Sequence, residues 1–135
     1  MVEEQTLKKD HPHRLASQHE LASAYLENGQ VEEAAPLLEQ VVTISKQTHG
    51  EDHPDRLTLE HLLSTIYWDL ENRKAAIQMM QHVVEIRRQV LDEDHPDRKN
   101  SEDWLKHFES EIGRAEAERM SDTEEKKRDS KRRTR

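Results

Sequence analysis

Apolar residues in this chain recur three and four positions apart, the spacing of helices with one buried face. Leu57, Leu62, Leu63, Ile66, Tyr67 and Leu70 fall together on a helix over about 55–70. Ala76, Ile77, Met80, Val83, Val84 and Leu91 form a broad face on a second helix over about 73–91. The same pair stands 42 residues earlier, over about 13–28 and 31–48. The short polar stretches "ENGQ" and "LENR" lie between the members of each pair and have helix-hairpin length. The pattern predicts an all-α chain of helix-turn-helix units.

The units are copies. With residues 10–51 set above 52–93, 14 of the 42 positions are identical. They include Asp10/Asp52, His11/His53, Pro12/Pro54, Arg14/Arg56, His19/His61, Leu21/Leu63, Tyr25/Tyr67, Ala34/Ala76 and Val41/Val83. Repetition of this length marks stacked supersecondary units, a solenoid. The hexapeptide "EDHPDR" stands at 51–56 and 93–98, with the weaker copy "KDHPHR" at 9–14. It reads as punctuation between repeats: Asp52 or His53 caps the incoming helix, Pro54 fits its first turn, and Asp55 complements the dipole. Gly50 is expected to close the preceding helix in the left-handed conformation.

The ends differ from the middle. In the repeat register Val2, Gln5 and Leu7 match the last turns of a second helix, so residues 1–9 are expected to be a helix remnant. Residues 10–51 and 52–93 are the two full repeats, and 94–120 a degenerate third with a capping helix at about 97–112. Leu105 keeps the repeat leucine and Gly113 falls on the turn position of Gly29, but Glu118, Asp122 and Glu125 stand in the places of Ala34, Leu38 and Val41. Residues 121–135 lack apolar periodicity and are expected to form a disordered basic tail. Pro36, opposite Gln78, sits inside a predicted helix, and the sequence offers no functional account of it.

Charge sharpens the division. The net charge is −8, yet residues 126–135 carry seven basic residues and one Asp, leaving 14 basic against 28 acidic residues in the rest. Nucleic acid is therefore not an expected partner except through the tail. With no cysteine, disulfides and thiolate chemistry are excluded. No run is long and apolar enough to span a membrane. A cytoplasmic location is expected, with the basic tail as a candidate nuclear-import signal.

The pairs Leu21/Leu63, Tyr25/Tyr67, Ala34/Ala76, Leu38/Met80 and Val41/Val83 resemble the small-and-large pattern of a tetratricopeptide repeat. The "G-x-D-H-P-D" junction and the 42-residue period resemble the kinesin-light-chain subtype, also found in the C-terminal arrays of fungal NB-ARC-type receptors. The resemblance covers about residues 10–112. It implies a right-handed superhelix whose first helices line a concave groove for a peptide or partner helix. Carried over by position, the groove would be lined by Ala16, His19, Glu20, Ser23, Leu26 and Glu27 in repeat one. Repeat two would supply Thr58, His61, Leu62, Thr65, Trp68 and Asp69, and the third unit Asn100, Asp103, Trp104, His107, Ser110 and Glu111. Trp68 and Trp104 would be the aromatic anchors, unless they serve packing instead. The acids predict a basic or neutral amphipathic protein partner. The Lys and Asn clamp of chaperone-binding relatives is missing: the corresponding positions read His19, Ser23, Leu62, Asn100 and Trp104. "HELA" and "HLLS" stand where kinesin light chains carry "NNLA".

Other chemistry finds no support. His11-x-His13 beside Asp10 supplies zinc-type donors, but His11, His53 and His95 recur with the loop instead of converging. Neither a phosphate loop nor a nucleophile motif is present, so no cofactor, metal or catalytic residue is expected. The sequence thus reads as a noncatalytic protein-interaction module. Its alternatives are a factor directed by its basic tail to the nucleus or to nucleic acid, and a fragment of a longer array. Self-association through the N-terminal end is a further expectation.

Overall fold

Few apolar residues are available, so the fold must place nearly all of them between neighbouring helices. A computed structural model describes residues 12–133, with side chains described for 17–128. Among these residues there are five helices: α1 (Pro12–Glu27), α2 (Val31–Thr48), α3 (Pro54–Asp69), α4 (Arg73–Val90) and α5 (Pro96–Arg133). No strand occurs among the described residues. Each helix packs on its sequence neighbours, giving a stack of hairpins. One core cluster joins Ala22 of α1 and Ala34, Leu38, Val41 and Val42 of α2 to Leu59, Leu63 and Ile66 of α3. A second joins Ala76, Met80 and Val84 of α4 to Phe108 of α5. The small Ala22, Ala34 and Ala76, all at 0% exposure, let the helices approach closely.

The turns repeat as faithfully as the helices. After α1, the Gln30 amide donates to the Tyr25 carbonyl at 2.7 Å; after α3, the Asn72 amide donates to the Tyr67 carbonyl at 2.9 Å. Gly29 supplies the positive φ of 76° that the first turn needs. Glu71, its counterpart, holds a φ of 65° with a full side chain. Between repeats, His53 and His95 each accept, through Nδ1, a 3.1 Å hydrogen bond from the amide two residues on. His53 is therefore the N-cap of α3, followed by Pro54 in its first turn.

Three expectations are corrected. Gly50 does not adopt the left-handed conformation; Gly29 is the glycine that does, and α2 ends instead with the extended His49, whose amide donates to the Ser45 carbonyl. Gly113 makes no turn, because α5 runs through it. Residues 121–133 are not a disordered tail but the continuation of that helix. The physical reason is compositional: the segment is rich in Glu, Lys and Arg, which favour helix, and its basic end suits the negative pole of the dipole. Residues 116–128 are all exposed. The proposed remnant at 1–9 and the His11/His13 pair of side chains lie outside the described residues and side chains.

The two ends of the stack differ chemically. On α5, Lys99 and Lys106 are exposed in the register places of the buried Leu57 and Ser64. That far face is solvated and adds no layer. On α1, Leu21 is 47% exposed, whereas Leu63, its copy in α3, is 2% exposed. Pro36 stands within α2 on an exposed position, and nothing in the structure explains it.

Candidate functional site

The positions carried over for the groove lie on α1, α3 and α5, the first helix of each unit. Their helical register aligns Asn100, Asp103, Trp104, His107 and Glu111 at i, i+3, i+4, i+7 and i+11. Thr58, His61, Leu62, Thr65 and Asp69 follow the same spacing on α3. None of these residues is buried, nor are His19, Glu20, Ser23, Leu26 and Glu27 on α1. The Ala16 side chain lies outside the described ones. The face carries five acids, Glu20, Glu27, Asp69, Asp103 and Glu111, and no Lys or Arg.

Its two tryptophans play different parts. Trp68 stacks on Phe108 with ring centres 4.3 Å apart and planes 13° from parallel. The Arg73 guanidinium carbon lies 4.6 Å from the Trp68 ring centre. With these two neighbours over its rings, Trp68 seals the α3–α5 junction and has little face left for an incoming group. Trp104 is 37% exposed. It meets His107 edge-on at 6.0 Å. Asn100, Asp103, Trp104 and His107 line a shallow depression of about 310 Å³. This is the free aromatic of the face.

His61 is also committed. Its Nδ1 lies 2.9 Å from the Ser101 hydroxyl. Arg87, only 4% exposed, donates to the Ser101 hydroxyl at 2.8 Å, to the Asp97 carbonyl at 3.0 Å and to the Thr58 hydroxyl at 3.3 Å. Burial, and then the neighbouring Arg87 charge, pull the His61 pKa down to about 4. The equivalent slots one repeat earlier hold Ser45 and Leu59, both buried. In these slots one junction buries a small polar residue and a large apolar one, while at the other Arg87 hydrogen-bonds Ser101. Periodicity alone hides this exchange; comparing the same slot across repeats exposes it.

Two wider clefts lie elsewhere. The first, about 470 Å³, lies among α2, α3 and α4 and is lined by Lys46, Glu51, Arg56, Glu60 and His82. Several of its polar groups meet one another: Glu60, at 2% exposure, pairs with Arg56 at 2.8 Å, and His82 lies 3.3 Å from Glu51. The second, between α4 and α5, mixes Ile77 and Ile112 with Arg73 and Arg119. No group of three or more His, Asp or Glu residues that could hold a metal occurs among the described residues.

Comparison with known proteins agrees with this architecture. Residues 13–89 match the tetratricopeptide repeat family. The chain belongs to that family. Its structure is similar to a crystal structure of nearly identical TPR-like repeats from a protein of Podospora anserina assigned as a kinesin light chain. The two share 40% sequence identity and a TM-score of 0.77, over 86% of this chain and 55% of that one. A point variant of the same repeats gives the same figures. This tetratricopeptide repeat chain therefore spans about half the length of the structure that it matches. No curated protein matches it. The kinesin-light-chain-like subtype inferred from the 42-residue period agrees with these neighbours. Tetratricopeptide repeats are in general protein–protein interaction scaffolds, not catalysts, and no helix among the described residues is long and apolar enough to cross a membrane.

Within this family fold the hexapeptide has a second task that the sequence reading missed. Arg56 donates to the His49 carbonyl at 3.1 Å, and Arg98 donates to the Leu91 carbonyl at the same distance. Each Arg also faces the carboxylate four residues on: Glu60 at 2.8 Å, Glu102 at 3.6 Å. Each therefore ties the end of one repeat to the first helix of the next. Arg88 adds a 2.7 Å bond to Glu102 and, with Arg98, holds that carboxyl below the usual carboxylate range. The signal was available as Arg-x-x-x-Glu after the second and third His-Pro; the first copy has Gln18 in that place.

Proposed function

We propose that this chain binds a basic or neutral amphipathic peptide or helix along the face formed by α1, α3 and α5, without chemical turnover. The observation that carries the reading is the composition of that face. Its positions include five acids, one of them (Glu111) paired with Arg114, and no Lys or Arg, and the exposed Trp104 lies beside Asp103 at its C-terminal end. Apolar contact with an aromatic anchor supplies affinity, while the acids steer and select. A helix seated there would present apolar residues at i, i+3 and i+4 toward Trp104 and Leu62, with Lys or Arg flanking them.

Selection from a random peptide library by the intact chain tests this. Basic, amphipathic peptides should be enriched, and they should bind Trp104→Ala/Asp103→Lys at least about tenfold more weakly, the size of one good anchor. Circular dichroism of the variant must match the parent. Enrichment of acidic peptides, or equal binding to the variant, contradicts the proposal.

A further inference from the structure

We infer that the basic end of α5 is a ligand for the acidic face of a second copy of this chain, so that copies associate tail to groove. The inference rests on the acids of the groove reading above and names one occupant that engages them by charge, since residues 126–135 carry no apolar side chain. The groove positions carry Glu20, Glu27, Asp69, Asp103 and Glu111 with no basic residue, and residues 126–135 carry seven basic residues and one Asp. Helix α5 brings the second charge set to a place of its own. Phe108 is the last of its described side chains at 0% exposure, and the helix runs on to Arg133. At 1.5 Å per residue that stretch advances about 38 Å.

A continuous helix cannot fold back on itself. While α5 stays helical, its end is carried away from its own groove, and the matching surface it can reach belongs to another molecule. Lys127, Arg128, Lys131 and Arg132 fall at i, i+1, i+4 and i+5 and share one side of the helix, while Lys126 and Arg133 extend the positive register positions to the other side. A basic helix laid along an acidic face is steered and held in register by complementary charge. Nucleic acid is the competing occupant. The remaining 28 acidic and 14 basic residues oppose it, since any polyanion held at the tail approaches a strongly negative body.

The test uses the full-length chain and a full-length variant with Lys126, Lys127, Arg128, Lys131, Arg132 and Arg133 all changed to Gln. Sedimentation velocity is run on both at about 50 mM and about 500 mM salt, either side of effective screening. The parent should associate at low salt and dissociate at high salt, and the Gln variant should stay monomeric throughout. Asp69→Lys/Asp103→Lys should remove association as well. A labelled peptide of residues 119–135 should bind the Gln variant, with at least about tenfold loss on adding the two Asp→Lys changes. A monomeric parent, association that survives in the Gln variant, or a peptide indifferent to the Asp→Lys changes overturns the inference. So does salt-sensitive retention of duplex DNA by a parent that shows no self-association. If library-selected peptides still require Trp104 and Asp103 in any of these cases, the groove reading stands and the tail alone has been misassigned. If they do not, the groove reading itself has failed.

Discussion

At the scale of single residues, one slot shows how far repetition constrains this chain and where it stops. Positions 29, 71 and 113 are register equivalents. Gly29 turns with a φ of 76°, Glu71 turns with a φ of 65°, and Gly113 does not turn at all. A non-glycine residue in the left-handed region is strained, so Glu71→Gly should stabilise the chain by about 1 kcal/mol. The thermal midpoint should rise by about 4 °C. An unchanged or lower midpoint contradicts that reading of the turn. His61 gives a second expectation, in pH. Its folded pKa is about 4 against an ordinary 6.5. As pH falls below 6.5 the unfolded chain takes up a proton that the folded chain refuses until about 4, so stability declines across that window. A His61→Asn chain should lose this slope in urea titrations at successive pH values. Neither feature was legible in the sequence. A turn position is visible there, but the chain turns only where the next segment has an apolar face to bring back onto the stack. The polar residues beyond Gly113 have none.

At the scale of elements, the helices were legible because 14 shared positions fix both the period and the buried faces. The observed boundaries of α1 to α4 fall within two residues of those read from spacing. The end of α5 was not legible, because low hydropathy denotes absence of packing, and a segment rich in Glu, Lys and Arg can be helical without it. The loop hexapeptide was read as a cap and is one, but its arginine also fastens neighbouring repeats. The two copies differ in surroundings: Glu60 is 2% exposed on its side chain, Glu102 20%. Arg56→Ala leaves a buried carboxylate short of its partner and should cost about 3 kcal/mol. Arg98→Ala should cost only about 1 kcal/mol, because water and Arg88 still serve Glu102. Urea midpoints of the two variants measure this directly, and equal losses would show that burial of Glu60 does not govern the contact.

At the scale of the whole molecule, the stack has one solvated end and one with an exposed leucine, and it presents a long acidic face and a separate basic helix end. The proposed face is carried over from the family resemblance, and its acids are read from the sequence. The division of labour between the tryptophans was not legible there. Both occupy groove positions, and only the tertiary neighbours, Phe108 and Arg73, show that Trp68 is taken up by packing. The central claim is that the face around Trp104 receives the partner. With two tryptophans in the chain, it gives two indole N–H signals in a nitrogen–proton correlation spectrum. The decisive measurement is a titration of the labelled chain with a library-selected peptide, the two signals assigned through Trp68→Phe and Trp104→Phe. The account predicts a large, saturable shift of the Trp104 indole together with the Asn100, Asp103 and His107 amides, and a small one at Trp68. Saturable binding that leaves the Trp104 signal in place would contradict it.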